Sequence, residues 1–239
     1  GTVMPNGMEI SRRKLRGEWS NGMLCSGAEI EIGDDDDGIL ILGSDSKQGT
    51  PLAESLGIES DVLYDLEVNP NRPDAMSVIG VARDLAAYQK IPFKIPEPKV
   101  SEKGKNVSEI LKAEIVSPDL CGRFVARVIE GVSIADSPQW LQNRITSLGM
   151  RPVNNVVDVS NYVMLEMGQP SHTFDLPSVS NSEFKVRWAS DGEEIVTLDG
   201  VSRKLTTEDG VVADGSNVPI GIAGVMGGNS TEISEETST

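Results

Sequence analysis

Residues 154–175, NNVVDVSNYVMLEMGQPSHTFD, constrain this chain more than any other stretch. An apolar run with helical spacing follows two asparagines, and either Asn154 or Asn155 can cap its start. Gly168, Gln169 and Pro170 end the run, because glycine accepts a left-handed exit and proline cannot continue a helix. His172, the one histidine among 239 residues, falls just beyond that break. A forced turn therefore carries the only side chain whose ordinary pKa lies near neutrality. On spacing alone, the arrangement is equally a plain helix exit or the edge of a functional site. Val156, Val159, Val163 and Met167 form one helical row and are expected to be buried, while Asp158, Tyr162 and Glu166 form another. Asn161 lies between the rows, so periodicity leaves its surroundings open.

The segments on either side extend the pattern. Ser137 and Pro138 offer an N-cap and a first-turn proline for a helix carrying Trp140, Leu141, Ile145 and Leu148 on one stripe. Gly149 suits its left-handed exit, and Trp140 is expected in the core. Earlier, Phe124, Ala126 and Val128 alternate with Arg123, Val125 and Arg127 and read as a strand with one mixed face. Beyond Asp175 the chain turns β-rich. Phe184, Val186 and Trp188 alternate with Lys185 and Arg187, and Asp199-Gly200 signals a hairpin. Strands at 211–214 and 219–223 are joined through Gly215, Ser216 and Asn217. Then comes Gly224-Val225-Met226-Gly227-Gly228. Such glycines mark either a tight turn between packed strands or a backbone that comes close to a ligand. No G-K-[ST] follows, so this is not a Walker phosphate loop.

The first half is less regular. Residues 1–42 read as short strands and turns, with a basic cluster at Arg12, Arg13, Lys14 and Arg16 that is either a solvated edge or a phosphate-contacting loop. Four aspartates, 34–37, precede an apolar run at 39–42 and read as an acidic turn before a strand. They lack the spaced ligands of a calcium loop. Residues 64–68 alternate like a strand, and the two-proline turn 69–74 leads to a helix over about 75–89, with Val78, Val81, Ala82 and Leu85 on one face. Arg72 reads as a turn-stabilising arginine or a surface contact. The Pro-, Lys- and Glu-rich 94–112 stretch is expected to link domains.

Composition removes several function classes. A net charge of -16 opposes autonomous, non-specific nucleic-acid binding. Cys25 and Cys121 are far apart and read as free thiols, and one histidine makes a catalytic zinc site improbable. No apolar run spans a bilayer, and the first residues lack a signal-peptide pattern, so a cytoplasmic location is expected.

The NNVVDVSNYVMLEMGQPSHTFD and IAGVMGG runs resemble the editing domain of the β subunit of bacterial phenylalanyl-tRNA synthetase. SNGMLCS, residues 20–26, resembles the end of the oligonucleotide-binding barrel near that family's N-terminus, and NPNRPD with GVARDLAA resembles the small helical domain after it. The implied fold is α+β. A mixed α/β editing domain with a β-rich second part would occupy 113–239, after a barrel remnant at 1–48, a small helical segment at 49–93 and the linker.

The resemblance implies hydrolysis of tyrosine wrongly esterified to tRNA(Phe). His172, Asn161 and Ser160 would serve the chemistry, and Pro170, Ala223, Gly224, Gly227 and Arg151 would bind substrate, with Arg151 toward the tRNA 3′ end. No metal is implied in this region. The parent enzyme would use ATP and magnesium on its α subunit, in an assembly of two α and two β subunits acting on tRNA(Phe). Ser160 stands where the family usually has threonine. The chain also stops before the glutamate that the family uses for the tyrosine hydroxyl, so one pocket wall is expected to be missing. The competing expectation is a non-catalytic scaffold or tRNA-docking piece, motivated by the acidic balance and the incomplete barrel.

Overall fold

A computed structural model describes residues 1–33, 35–58 and 61–239, arranged as two compact units, Gly1–Val62 and Leu63–Thr239. In the first unit, β1 (Thr2–Val3) pairs with β2 (Glu9–Ile10), and β3 (Arg13–Leu15) pairs with β4 (Glu18–Ser20), both antiparallel. Arg16 and Gly17 both take positive φ between β3 and β4, which is the backbone a two-residue hairpin needs. The basic cluster is thus an exposed hairpin, with the Arg12 guanidinium 4.6 Å from the Trp19 ring centroid. A short helix, α1 (Leu52–Ser55), follows. The acidic run begins at Asp34, outside the described residues. No strand forms over 39–42; Leu40 N–H bonds Cys25 O, and no ladder partner lies alongside.

In the second unit the strand expected over 64–68 is absent, and those residues lie mostly exposed. Arg72 stabilises its turn, donating twice to Asp74 and once, at 2.6 Å, to Asp84. Helix α2 (Val78–Gln89) starts where the Ser77 hydroxyl accepts from Gly80 N–H and ends at left-handed Lys90. It buries Ile79 and Ala86 and leaves Val78 and Leu85 exposed. After α3 (Val107–Ile110) come β5 (Lys112–Ile115), α4 (Gln139–Ser147), α5 (Asn155–Met167), β6 (Glu183–Trp188), β7 (Glu194–Val196), β8 (Ser202–Lys204), β9 (Gly210–Asp214), β10 (Pro219–Ile222) and β11 (Met226–Gly227). Five strands form one mixed sheet in the order β11-β10-β9-β6-β5, parallel only between β5 and β6. The Asp-Gly signal marks the β7–β8 hairpin, with Gly200 at φ 75°. The architecture is mixed α/β.

Phe124, Ala126 and Val128 do pack against the core made by Leu111, Val179, Phe184 and Ile220, but their segment joins no ladder. Alternation reports that one face is covered; it does not report a strand partner. A second cluster joins Ala189, Ile195, Leu205 and Val211.

Helix α5 turns a different face inward from the one its apolar spacing suggests. Val159, Val163 and Met167 remain part-exposed, whereas Asp158 is fully buried. The Asp158 carboxylate accepts from the Ser137 hydroxyl at 2.6 Å and from Val153 N–H at 2.9 Å. A carboxylate can be buried when its lone pairs are satisfied in this way. Ser137 therefore anchors α5 instead of capping α4. Trp140 is 60% exposed and meets Tyr162 edge-on, while Leu141 and Ile145 form the buried side of α4.

On β6 the alternation also breaks at Arg187, which is buried. Its guanidinium spends all five N–H donors on Glu193, Asn217 and the Trp188 carbonyl. Arg187 holds the Glu193 carboxyl below the usual carboxylate range. Removing the guanidinium leaves a part-buried carboxylate with the Ser190 N–H as its one remaining donor. Arg187→Met is therefore expected to lower the unfolding free energy by about 2–4 kcal/mol in urea denaturation. An unchanged midpoint would contradict this account of β6.

Candidate functional site

The capped helix brings the first site residues into place. The Asn154 side chain accepts from Val156 and Val157 N–H, and Gly168, at φ 78°, returns its N–H to Met164 O. The helix thus starts and stops where its two signals stand. Fixing both ends also fixes Ser160 and Asn161 on its second turn. Ser160 then reaches beyond the helix end. Its hydroxyl lies 3.1 Å from Ser171 O and 2.8 Å from Ser171 Oγ. That pair ties the helix to the loop that carries His172.

Two further contacts seat the imidazole. Phe174 meets it nearly edge-on, with centroids 4.6 Å apart, and Phe174 itself packs on Phe184 in the core. On another side lies Gly227 of β11, held opposite Gly221 of β10. A Cβ on Gly227 would overlap the His172 ring. Gly227 is buried, so its missing side chain makes the space that the ring uses. Gly224 has a different job. It takes φ 72° at the open tip of the β10–β11 turn, where only backbone conformation calls for glycine.

Ser160, Asn161 and His172 line one cleft of about 280 Å³. Val153, Val157, Leu198 and Ile233 give it an apolar wall, and Ser171, Thr173 and Glu232 add polar groups. Among the described residues neither the imidazole nor the Asn161 amide has a hydrogen-bond partner, so both can bond a ligand. Partial desolvation on the side that meets Phe174 and Gly227 lowers the His172 pKa from the ordinary 6.5 and favours a neutral ring, while the residue's other side stays open to solvent. None of the residues expected to bind substrate, Ala223, Gly224, Gly227, Pro170 and Arg151, lines this cleft; Gly227 bears on it only through the imidazole it seats. Arg151 is exposed two residues before Val153, and Pro170 is exposed at the helix exit.

Sequence reasoning did not single out Leu198 or Ile233. Leu198 arrives through the β7–β8 hairpin, where its N–H donates to Gly227 O. Only the cross-strand register could have signalled it. Among the described residues, no group of three or more His, Cys, Asp and Glu side chains could hold a metal ion, and no helix is long and apolar enough to cross a membrane.

A family model for the B3/4 domain matches residues 120–239. Phenylalanine–tRNA ligase β subunits are similar across the whole chain. The one from Nitratidesulfovibrio vulgaris is 42% identical over 238 residues, covering 100% of this chain and 30% of that protein. The one from Moorella thermoacetica is 45% identical over 244 residues, and that from Anaeromyxobacter dehalogenans 45% over 238, with the same shares. The chain thus spans about 30% of the length of these relatives.

Because there is only one histidine, its titration can be read without ambiguity. NMR titration of the full chain is expected to place the His172 midpoint below 6.5. The depressed value means the folded state prefers the neutral ring. That preference stabilises the fold above 6.5 and is lost as pH falls through the folded midpoint. A midpoint at or above 6.5 would contradict the desolvated seat described here.

Proposed function

The chain belongs to the B3/4 domain family, as a piece of the phenylalanine–tRNA ligase β-subunit family, and from that premise we propose that its cleft hydrolyses tyrosine wrongly esterified to tRNA(Phe). The observation that carries this reading is the convergence of Ser160, Asn161 and His172 on one cleft, with Gly227 against the imidazole. The need for such a site is physical. A synthetic pocket built for an apolar side chain rejects one extra hydroxyl only weakly, so a second, hydrolytic site is required for accuracy.

The arrangement suits attack by water. The Ser160 hydroxyl is occupied by Ser171, and no base lies bonded to it, which argues against an acyl-enzyme. A neutral imidazole can instead accept a hydrogen bond from water and orient it toward the ester carbonyl. Asn161 offers an amide donor and acceptor beside it. Water oxygen bonds to the carbonyl carbon, the ester C–O bond breaks, and the terminal ribose oxygen leaves with a proton. The ribose's neighbouring hydroxyl is positioned by the substrate itself to assist. Val157, Leu198 and Ile233 would hold the aromatic body, and the exposed Arg151 would meet the tRNA 3′ end.

In the complete enzyme this region would act beside an α subunit, in a cytoplasmic heterotetramer of two α and two β subunits that charges tRNA(Phe). ATP and magnesium would be used on the α subunit. Every step proposed here is assigned to side chains and water. The net charge of -16 favours a second reading, a non-catalytic scaffold, because it opposes tRNA binding by this chain alone.

Release of tyrosine from tyrosyl-tRNA(Phe) by the assembled ligase separates the two. His172→Ala and Gly227→Ala should each slow it by about 100-fold, the lower range for a positioned acid–base group. Hydrolysis at wild-type rate in both variants would remove the cleft from the reaction and favour the scaffold.

A further inference from the structure

The hydrolysis described above leaves the cleft's one formally charged side chain without a task. Glu232 is the only side chain among the cleft's lining residues that carries a formal charge when the imidazole is neutral. Its carboxylate is exposed and, among the described residues, makes no ion pair or hydrogen bond. The backbone that presents it is nevertheless fixed. Thr231 is 1% exposed, and its carbonyl accepts from Asp175 N–H at 3.1 Å. Glu232 N–H closes a turn onto Asn229 O, and Ile233 is half-buried in the cleft wall. A free carboxylate on an anchored backbone therefore faces the same space as His172 and Asn161.

Aminoacyl esters carry a matching charge. Their ammonium stands on the carbon next to the ester carbonyl, within one side-chain length of any group that orients water on that carbonyl. We infer that Glu232 is a specificity-determining residue that receives the α-ammonium of an aminoacyl ester bound in this cleft. The inference rests on the reading of the cleft as an ester-hydrolysing site. Asn161 and the neutral imidazole can bond any ester; the carboxylate adds preference for one with a free amine. It also repels phosphate, so the cleft favours the aminoacyl end over the adjoining nucleic-acid backbone.

Two esters of tRNA(Phe) test this in the assembled ligase. One carries tyrosine, and the other carries 3-(4-hydroxyphenyl)propionate, the same acyl group without its ammonium. Glu232→Gln is expected to lower kcat/KM for the tyrosyl ester about five- to tenfold, the range for a partly exposed charge-assisted bond. The desamino ester should change by less than about twofold, since it has no group to lose. Equal losses on both esters, or no loss on the tyrosyl ester, would overturn the role of Glu232. A wild-type enzyme that hydrolyses neither ester would overturn the hydrolytic reading itself, and Glu232's role with it. The exposed glutamate holds no other side chain, so the variant should melt with the wild type. A folding defect would also count against the assignment.

Discussion

The contact between His172 and the bare α-carbon of Gly227 is the constraint on which the site depends. A ring can rest on a strand only where the strand offers no Cβ, and Gly227 supplies that place. The contact joins two parts of the chain more than fifty residues apart, a helix exit and the β10–β11 turn. It also sets the electrostatics. With Phe174 on one side and a glycine on another, the imidazole loses part of its hydration and is biased toward its neutral form, although its open side still meets solvent. Geometry and protonation thus have one cause.

Polar side chains, buried at Asp158 and Arg187 and more exposed at Ser160, hold the parts in register. Asp158 ties α5 to Ser137 and to the backbone at Val153. Ser160 ties the same helix to Ser171, and Arg187 ties β6 to Glu193 and Asn217. Each bond is directional, so each fixes an orientation that apolar packing alone would leave adjustable. The apolar wall of the cleft then accepts a hydrophobic body, and the polar edge meets whatever reacts.

Much of this was legible in the sequence where the signal was local. Asn154, Gly168 and Pro170 mark the ends of α5 because capping and helix breaking act over a few residues. Asp199-Gly200 marks its hairpin for the same reason. What escaped depended on distant partners. The apolar row Val159, Val163 and Met167 looks like a buried face, and no periodicity reveals that Ser137 and Val153 will satisfy Asp158 and turn another face inward. Trp140 lies on a helical stripe but at its margin, where Tyr162 covers only one side. Phe124, Ala126 and Val128 alternate because they cover the core, although no strand lies beside them. Leu198 and Ile233 enter the cleft through long-range placement that local patterns do not encode.

The seat of the imidazole can be observed directly in solution. In the full 239-residue chain, nuclear Overhauser contacts are expected between the His172 ring protons and the Gly227 α-protons, with those α-protons displaced by the ring current. A His172 ring without contact to Gly227, and Gly227 α-protons at ordinary strand shifts, would contradict the arrangement from which the proposed chemistry is built.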